Sequence, residues 1–190
     1  MTELYLVRHG ETEWSKSGQH TSVTDLPLTA AGRRQAESLN GRLRPEDFAL
    51  VLSSPRQRAI DTAELAGFTG AHAPELSEDL IEWAYGDYEG LTSDQIHQRD
   101  PDWDLWRDGC PGGESPQQVV DRLERFESRV KESGAERAIA FAHGHSLRAL
   151  TLCWLDLDIG LGEQFPLQTA SVSVLGWAKG EPALIRWNAV

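Results

Sequence analysis

At 190 residues, with 39% hydrophobic and 25% charged side chains, the chain has a globular composition and the length of a single domain. Its formal net charge of -12 argues against a nucleic-acid partner, which would need a basic face. No apolar run approaches the roughly 20 residues of a membrane span, and two cysteines, Cys110 and Cys153, make no disulfide framework. The first eight residues lack the basic and long apolar regions of a signal peptide, so a reducing cytoplasm is the expected setting. An acidic protein can still hold a small anion. Charges beyond about 8 Å are screened at cellular salt, so a local arginine cluster is sufficient.

The elements follow in chain order. Leu4-Tyr5-Leu6-Val7 reads as a buried strand that stops abruptly at Arg8-His9-Gly10. A polar loop is expected over 11–28, then a helix over 29–43 with Ala36, Leu39 and Leu43 on one face. Residues 48–52 read as a second buried strand. Ser54-Pro55-Arg56-Gln57 reads as a helix start with Ser at N-cap, Pro at N1 and Gln at N3. That helix ends near Gly67, and a weak strand is expected over 71–73.

The middle is irregular. Residues 76–90 read as an acidic and aromatic loop, and Thr92 to Gln95 carries a capping-box pattern opening a short helix. Ser115-Pro116-Gln117-Gln118 starts another helix, with Val119, Leu123, Phe126 and Val130 as its apolar stripe. Residues 137–142 form a strand that stops at His143-Gly144-His145, and 146–155 a helix. Two final strands over 169–177 and 183–187 suit a hairpin across Lys179-Gly180-Glu181. Alternating strands and helices predict an α/β sheet covered on both faces.

In open α/β sheets, ligands bind beyond the carboxyl ends of the strands. Three strands end in Arg8-His9, in Ser53 to Arg58 and in His143-Gly144-His145, all at one sheet edge. Arginine's planar fork matches phosphate. A neutral histidine can attack phosphorus, its second ring nitrogen fixed by a loop carbonyl. A carboxyl must protonate the leaving oxygen, and the loop from Glu82 to Glu89 can supply one. Other readings of single residues stay open. His143 and His145 are spaced as a metal pair, though no third ligand has fitting spacing. Trp103 and Trp106 read as packing residues or as a substrate lid, and Cys110 as a packing residue or a reactive thiol.

Leu6-Val7-Arg8-His9-Gly10-Glu11-Thr12 resembles the signature of the histidine phosphatase, or phosphoglycerate-mutase-like, superfamily. The resemblance continues through Asp25 to Thr29, Ser53 to Ala59, Glu82 to Gly90 and His143, in order and over essentially the whole chain. It implies a three-layer α/β/α sandwich with a mostly parallel central sheet. It also implies His9 as nucleophile, with Arg8, Arg58 and His143 completing the phosphate pocket and Glu82 as proton donor. No metal or organic cofactor is implied.

Within the superfamily, residues 13–20, 82–90, 103–110 and 141–145 are similar to the branch of mycobacterial acid phosphatase and fungal sedoheptulose-1,7-bisphosphatase. Mutases commonly carry Asn in place of Ser15 and Gly-Gly in place of Gly144-His145. These departures, and the absence of long insertions, favour hydrolysis of a small phosphorylated metabolite, such as a sugar phosphate, over the alternative, a phosphoglycerate mutase. A phosphate-sensing module without turnover is a third reading. Ser15, Lys16, His20 and His145 are the expected substrate-binding residues around the pocket. Lys16 draws notice as one of three lysines beside fifteen arginines. A homodimer is compatible with the sequence, as is a monomer.

Overall fold

The computed structural model describes residues 1–190. In chain order the elements are β1 (Glu3–Arg8), α1 (Glu13–Ser17), α2 (Ala30–Glu37), β2 (Leu50–Ser53), α3 (Gln57–Leu65), β3 (Glu75–Leu76), α4 (Ser93–His97), α5 (Leu105–Asp108), α6 (Pro116–Glu132), β4 (Arg137–Ala142), α7 (Gly144–Trp154), β5 (Val172–Ala178) and β6 (Glu181–Ala189). The strands form one sheet of order β3-β2-β4-β1-β5-β6. β3, β2, β4 and β1 run parallel, and β5 and β6 are antiparallel additions at one side. The expected α/β sandwich with a mostly parallel sheet is therefore observed.

Strand alternation builds the three layers. In β4, Ala138, Ala140 and Ala142 face a large core that holds Val119, Leu123 and Phe126 of α6 and Leu147 and Trp154 of α7. Ile139 and Phe141 face the opposite core, with Leu39, Ala63 and Phe68. The α6 stripe read from the sequence is fully buried, and the α6 N-terminus carries the expected Ser115–Gln118 capping box. α4 likewise has its Thr92–Gln95 box.

Several expectations need correction. The loop over 11–28 contains α1, capped by Thr12 and closed by Gly18 at φ 81°. The helix expected over 29–43 ends at Glu37, because Ser38 to Gly41 turns away with Gly41 at φ 80°. Leu39 and Leu43 still reach the core. The weak strand over 71–73 is a 3-10 turn, Gly70–His72, and the edge strand is β3 just beyond it.

The helix start at Ser54 also moves. α3 begins at Gln57, with Arg56 at its N-cap. The Asp25 carboxylate accepts the Gln57 N–H at 3.0 Å from 32 residues upstream, replacing a local cap. α7 begins two residues earlier than expected, with His143 at N-cap. Its cap is also remote, the carboxylate of Glu82. These two helix starts and the end of β1 surround one cleft at the carboxyl edge of the sheet.

Candidate active site

β1, β4 and β2 are adjacent and parallel, so their carboxyl ends deliver His9, His143 and Ser54 to one place. Gly10 lets the chain leave β1 there. A Cβ on Gly10 would lie 2.4 Å from the Gly32 carbonyl oxygen, at the close approach of α2.

His9 is 5% exposed. Its Nδ1–H donates to Gly10 O at 2.7 Å, which leaves the lone pair on Nε2. Burial, then the charges of Arg58 and Arg8, hold its pKa well below the ordinary histidine value, so the ring is neutral. The His143 ring stands edge-on to it, with centroids 5.3 Å apart. Arg58 Nε donates to His143 Nδ1 at 3.2 Å, so the His143 proton lies on Nε2 and is donated to Ser54 Oγ at 2.7 Å. Burial, followed by the Arg58 charge, lowers the His143 pKa as well.

Arg58 is fully buried and points at the site from the first turn of α3. Its guanidinium donates to the carbonyls of Thr24, Thr21 and Ser22 at 3.1–3.2 Å, and Asp25 lies 3.7 Å away. Arg8 donates to Leu167 O through Nη1, while its buried Nε has no partner. Glu82 is 5% exposed. Its oxygens accept the N–H groups of Trp83, Ser146 and His145 at 2.9, 2.8 and 3.1 Å.

A pocket of about 430 Å³ opens onto Arg8, His9 and Glu82. Ser15, His20 and His145 line it, together with Trp14, Trp103 and Trp106. Arg58 and His143 lie beneath this lining, sealed from solvent. Lys16 is the exception among the candidate residues. It sits on the exposed face of α1 and is not part of the wall, because Thr12 caps the helix so that Trp14 and Ser15 turn inward instead. Ser15 Oγ is engaged by the Thr12 backbone within the same cap.

The family profile described as histidine phosphatase superfamily (branch 1) matches residues 4–190. The chain belongs to the histidine phosphatase superfamily. It is an enzyme of the phosphoric monoester hydrolase class found there. An acid phosphatase of Mycobacterium tuberculosis is 45% identical over 181 residues, covering 93% of this chain and 87% of the relative. The sedoheptulose 1,7-bisphosphatase of Saccharomyces cerevisiae is 38% identical over 183 residues, covering 81% of this chain and 68% of the relative. The solved structure of an open reading frame product from Mycobacterium tuberculosis superposes with a TM-score of 0.93 at 40% identity, covering 100% of this chain and 98% of that one.

This histidine phosphatase fold accounts for the remaining candidates. Trp103 and Trp106 are nearly buried and line the pocket wall. Trp106 packs edge-on to Trp83, lies under the Arg148 guanidinium at 4.8 Å, and leaves no room for a Cβ on Gly162. Burial pushes the Cys110 thiol up to about 12, so it is protonated, and the reactive-thiol reading falls.

The sequence places Ser54 at a converging strand end and Tyr85 and Glu89 in the acidic loop but assigns none of them an individual site role, and it does not single out Arg148; Ser54 reads there as a helix N-cap. Arg148 follows His145 by three residues on α7, a spacing that puts both on one helix face. Glu89 accepts the Ser22 and Thr24 N–H groups at 2.9 and 3.0 Å, folding the loop whose carbonyls hold Arg58. Nothing in its local sequence marks that role.

Proposed function

We propose that the protein hydrolyses small phosphate monoesters, sugar phosphates foremost, through a phosphohistidine on His9. The observation that carries this is the state of His9. Its ring is neutral, Nδ1 is tied to Gly10 O, and Nε2 is left as a lone pair at a pocket that Arg8 and Glu82 share. In the first step His9 Nε2 attacks phosphorus and the bond to the leaving oxygen breaks. The Glu82 carboxyl gives that oxygen its proton, and the alcohol departs. Water then attacks the phosphohistidine, passing a proton to Glu82, and inorganic phosphate leaves with His9 restored.

Arg8 and Arg58 supply fixed positive charge for the equatorial oxygens, and the Ser54 hydroxyl, which accepts the His143 Nε2–H, keeps its own proton to donate to one of them. Positioning and electrostatics of this kind account for most catalysis of phosphoryl transfer. The partner is a small phosphorylated metabolite. The unpaired thiols of Cys110 and Cys153 support a reducing, cytoplasmic setting. A mutase would share the first step and return the phosphoryl group to substrate. No helix is long and apolar enough to cross a membrane.

The test is capture of an acid-labile phosphoenzyme from wild type and its disappearance in His9→Ala, whose turnover should fall by several powers of ten. Near-normal turnover in His9→Ala overturns the mechanism. Incubation with 3-phosphoglycerate, followed by phosphorus NMR, separates hydrolysis from mutase action by its product, inorganic phosphate or 2-phosphoglycerate.

A further inference from the structure

Two imidazoles in the pocket wall take no part in the steps above. His20 and His145 stack with ring planes 12° apart and centroids 5.9 Å apart. Nδ1–H of His20 donates to Leu91 O at 2.9 Å. A carbonyl only accepts, so in the neutral ring Nε2 carries the lone pair. His145 Nδ1 lies 2.7 Å from the Tyr85 hydroxyl. Tyr85 is 2% exposed, and its hydroxyl has no other partner. That buried O–H is satisfied only by donating to Nδ1, which places the His145 proton on Nε2. Neither Nε2 has a protein partner, and neither is sealed from the pocket that both rings line. Burial lowers the pKa of both rings and keeps them uncharged.

We propose that His20 and His145 form a hydroxyl-reading pair, one acceptor beside one donor, whose polarity is set by Tyr85 as a positioning residue. The pair would bind hydroxyl groups of a polyol phosphate rather than a second phosphate. This rests on the phosphomonoesterase reading above and deepens it.

The chemistry decides between the two ligands. An alcohol oxygen accepts from His145 Nε2–H and donates to His20 Nε2, so a hydroxyl, or two neighbouring ones, meets both rings. A phosphate dianion has no donor and sets its lone pairs against that of His20. Trp103 borders His20 at 5.7 Å and Trp106 borders His145 at 5.5 Å, which gives the C–H face of a sugar apolar surface beside the hydroxyl readers. A site whose polar atoms are left unpaired by a ligand lacking the hydroxyl discriminates strongly against that ligand.

The experiment compares kcat/KM for sorbitol 6-phosphate with that for hexyl phosphate, which has the same chain length and no hydroxyl groups. Wild type should favour the polyol ester by about tenfold or more. Tyr85→Phe frees the His145 tautomer, and His20→Asn keeps a donor for Leu91 O while removing the Nε2 acceptor. Each should lower that ratio about tenfold, chiefly through KM for the polyol ester. Nitrogen-15 NMR should find His145 protonated on Nε2 in wild type and mixed in Tyr85→Phe, a change that a merely structural tyrosine would not produce. Parallel losses on both esters, no ratio in wild type, or a wild-type His145 proton on Nδ1 would overturn the proposal. Should wild type hydrolyse neither ester, the phosphatase reading fails. The tautomer, and the ring shifts induced by sorbitol 6-phosphate at His20 and His145, then still decide this one.

Discussion

The Glu82 carboxylate accepts the backbone N–H of Ser146 at 2.8 Å, so the pocket's buried carboxyl is also the N-terminal cap of α7. His143 and His145 lie on the same helix start. The proposed proton donor thus holds the helix start that carries both histidines.

Glu82→Gln should therefore have two separable effects. Loss of the proton donor should cost roughly 10²–10⁴-fold on alkyl phosphates, whose leaving groups need protonation. p-Nitrophenyl phosphate should suffer less. Replacing one accepting oxygen by an amide nitrogen at the α7 N-terminus should destabilise by about 1–2 kcal/mol, read by urea denaturation. Equal losses on both esters would leave Glu82 a capping residue only.

Glu89 acts at longer range. Glu89→Ala removes the acceptor for the Ser22 and Thr24 N–H groups and loosens the carbonyls that hold Arg58. A stability loss of about 1.5–3 kcal/mol is expected for losing hydrogen bonds to a charged group. kcat/KM for p-nitrophenyl phosphate should drop about tenfold or more from misplacement of Arg58. Wild-type kinetics in this variant would show that Arg58 is held by Asp25 and its own burial.

Lys16→Ala should leave KM for sugar phosphates and bisphosphates within about twofold of wild type, as for other exposed substitutions. The side chain lies outside the pocket wall. A KM increase of tenfold or more, measured by phosphate release, would mean that α1 rearranges when substrate binds.

Stability should fall on mild acidification. His9, His20, His143 and His145 all have pKa values lowered in the folded protein, with burial the first cause in each. Below the ordinary histidine value of about 6.5 the unfolded chain binds protons that the folded chain refuses. Their stabilisation is complete above that value and is lost as pH falls toward the depressed folded values. Each proton so taken up steepens the slope by about 1.4 kcal/mol per pH unit. Urea melts at pH 7.0, 6.25 and 5.5 should show a progressive loss, and a flat profile would mean these rings are charged in the folded state.

Much of this protein was readable from its sequence because the relevant signals are local. Short apolar runs that end abruptly in Arg8-His9, Ser53-Ser54 and His143 mark parallel strands and the polar edge where they stop. The capping boxes at Thr92 and Ser115 and the α6 stripe are spacings of three and four residues, and they specify helices without reference to anything else. What only the tertiary structure decided involves partners far apart in the chain. Asp25 caps α3 and Glu82 caps α7, so neither helix start carries a complete local signal and each lies away from the position its local pattern predicts. The inward turn of Trp14 and Ser15 that leaves Lys16 outside depends on how α1 seats against the cleft. The proton positions on His143 and His145 depend on Arg58, Ser54 and Tyr85 reaching them across the fold. Residue identity names the chemistry available, whereas a hydrogen bond across 60 or 85 residues selects which nitrogen carries the proton.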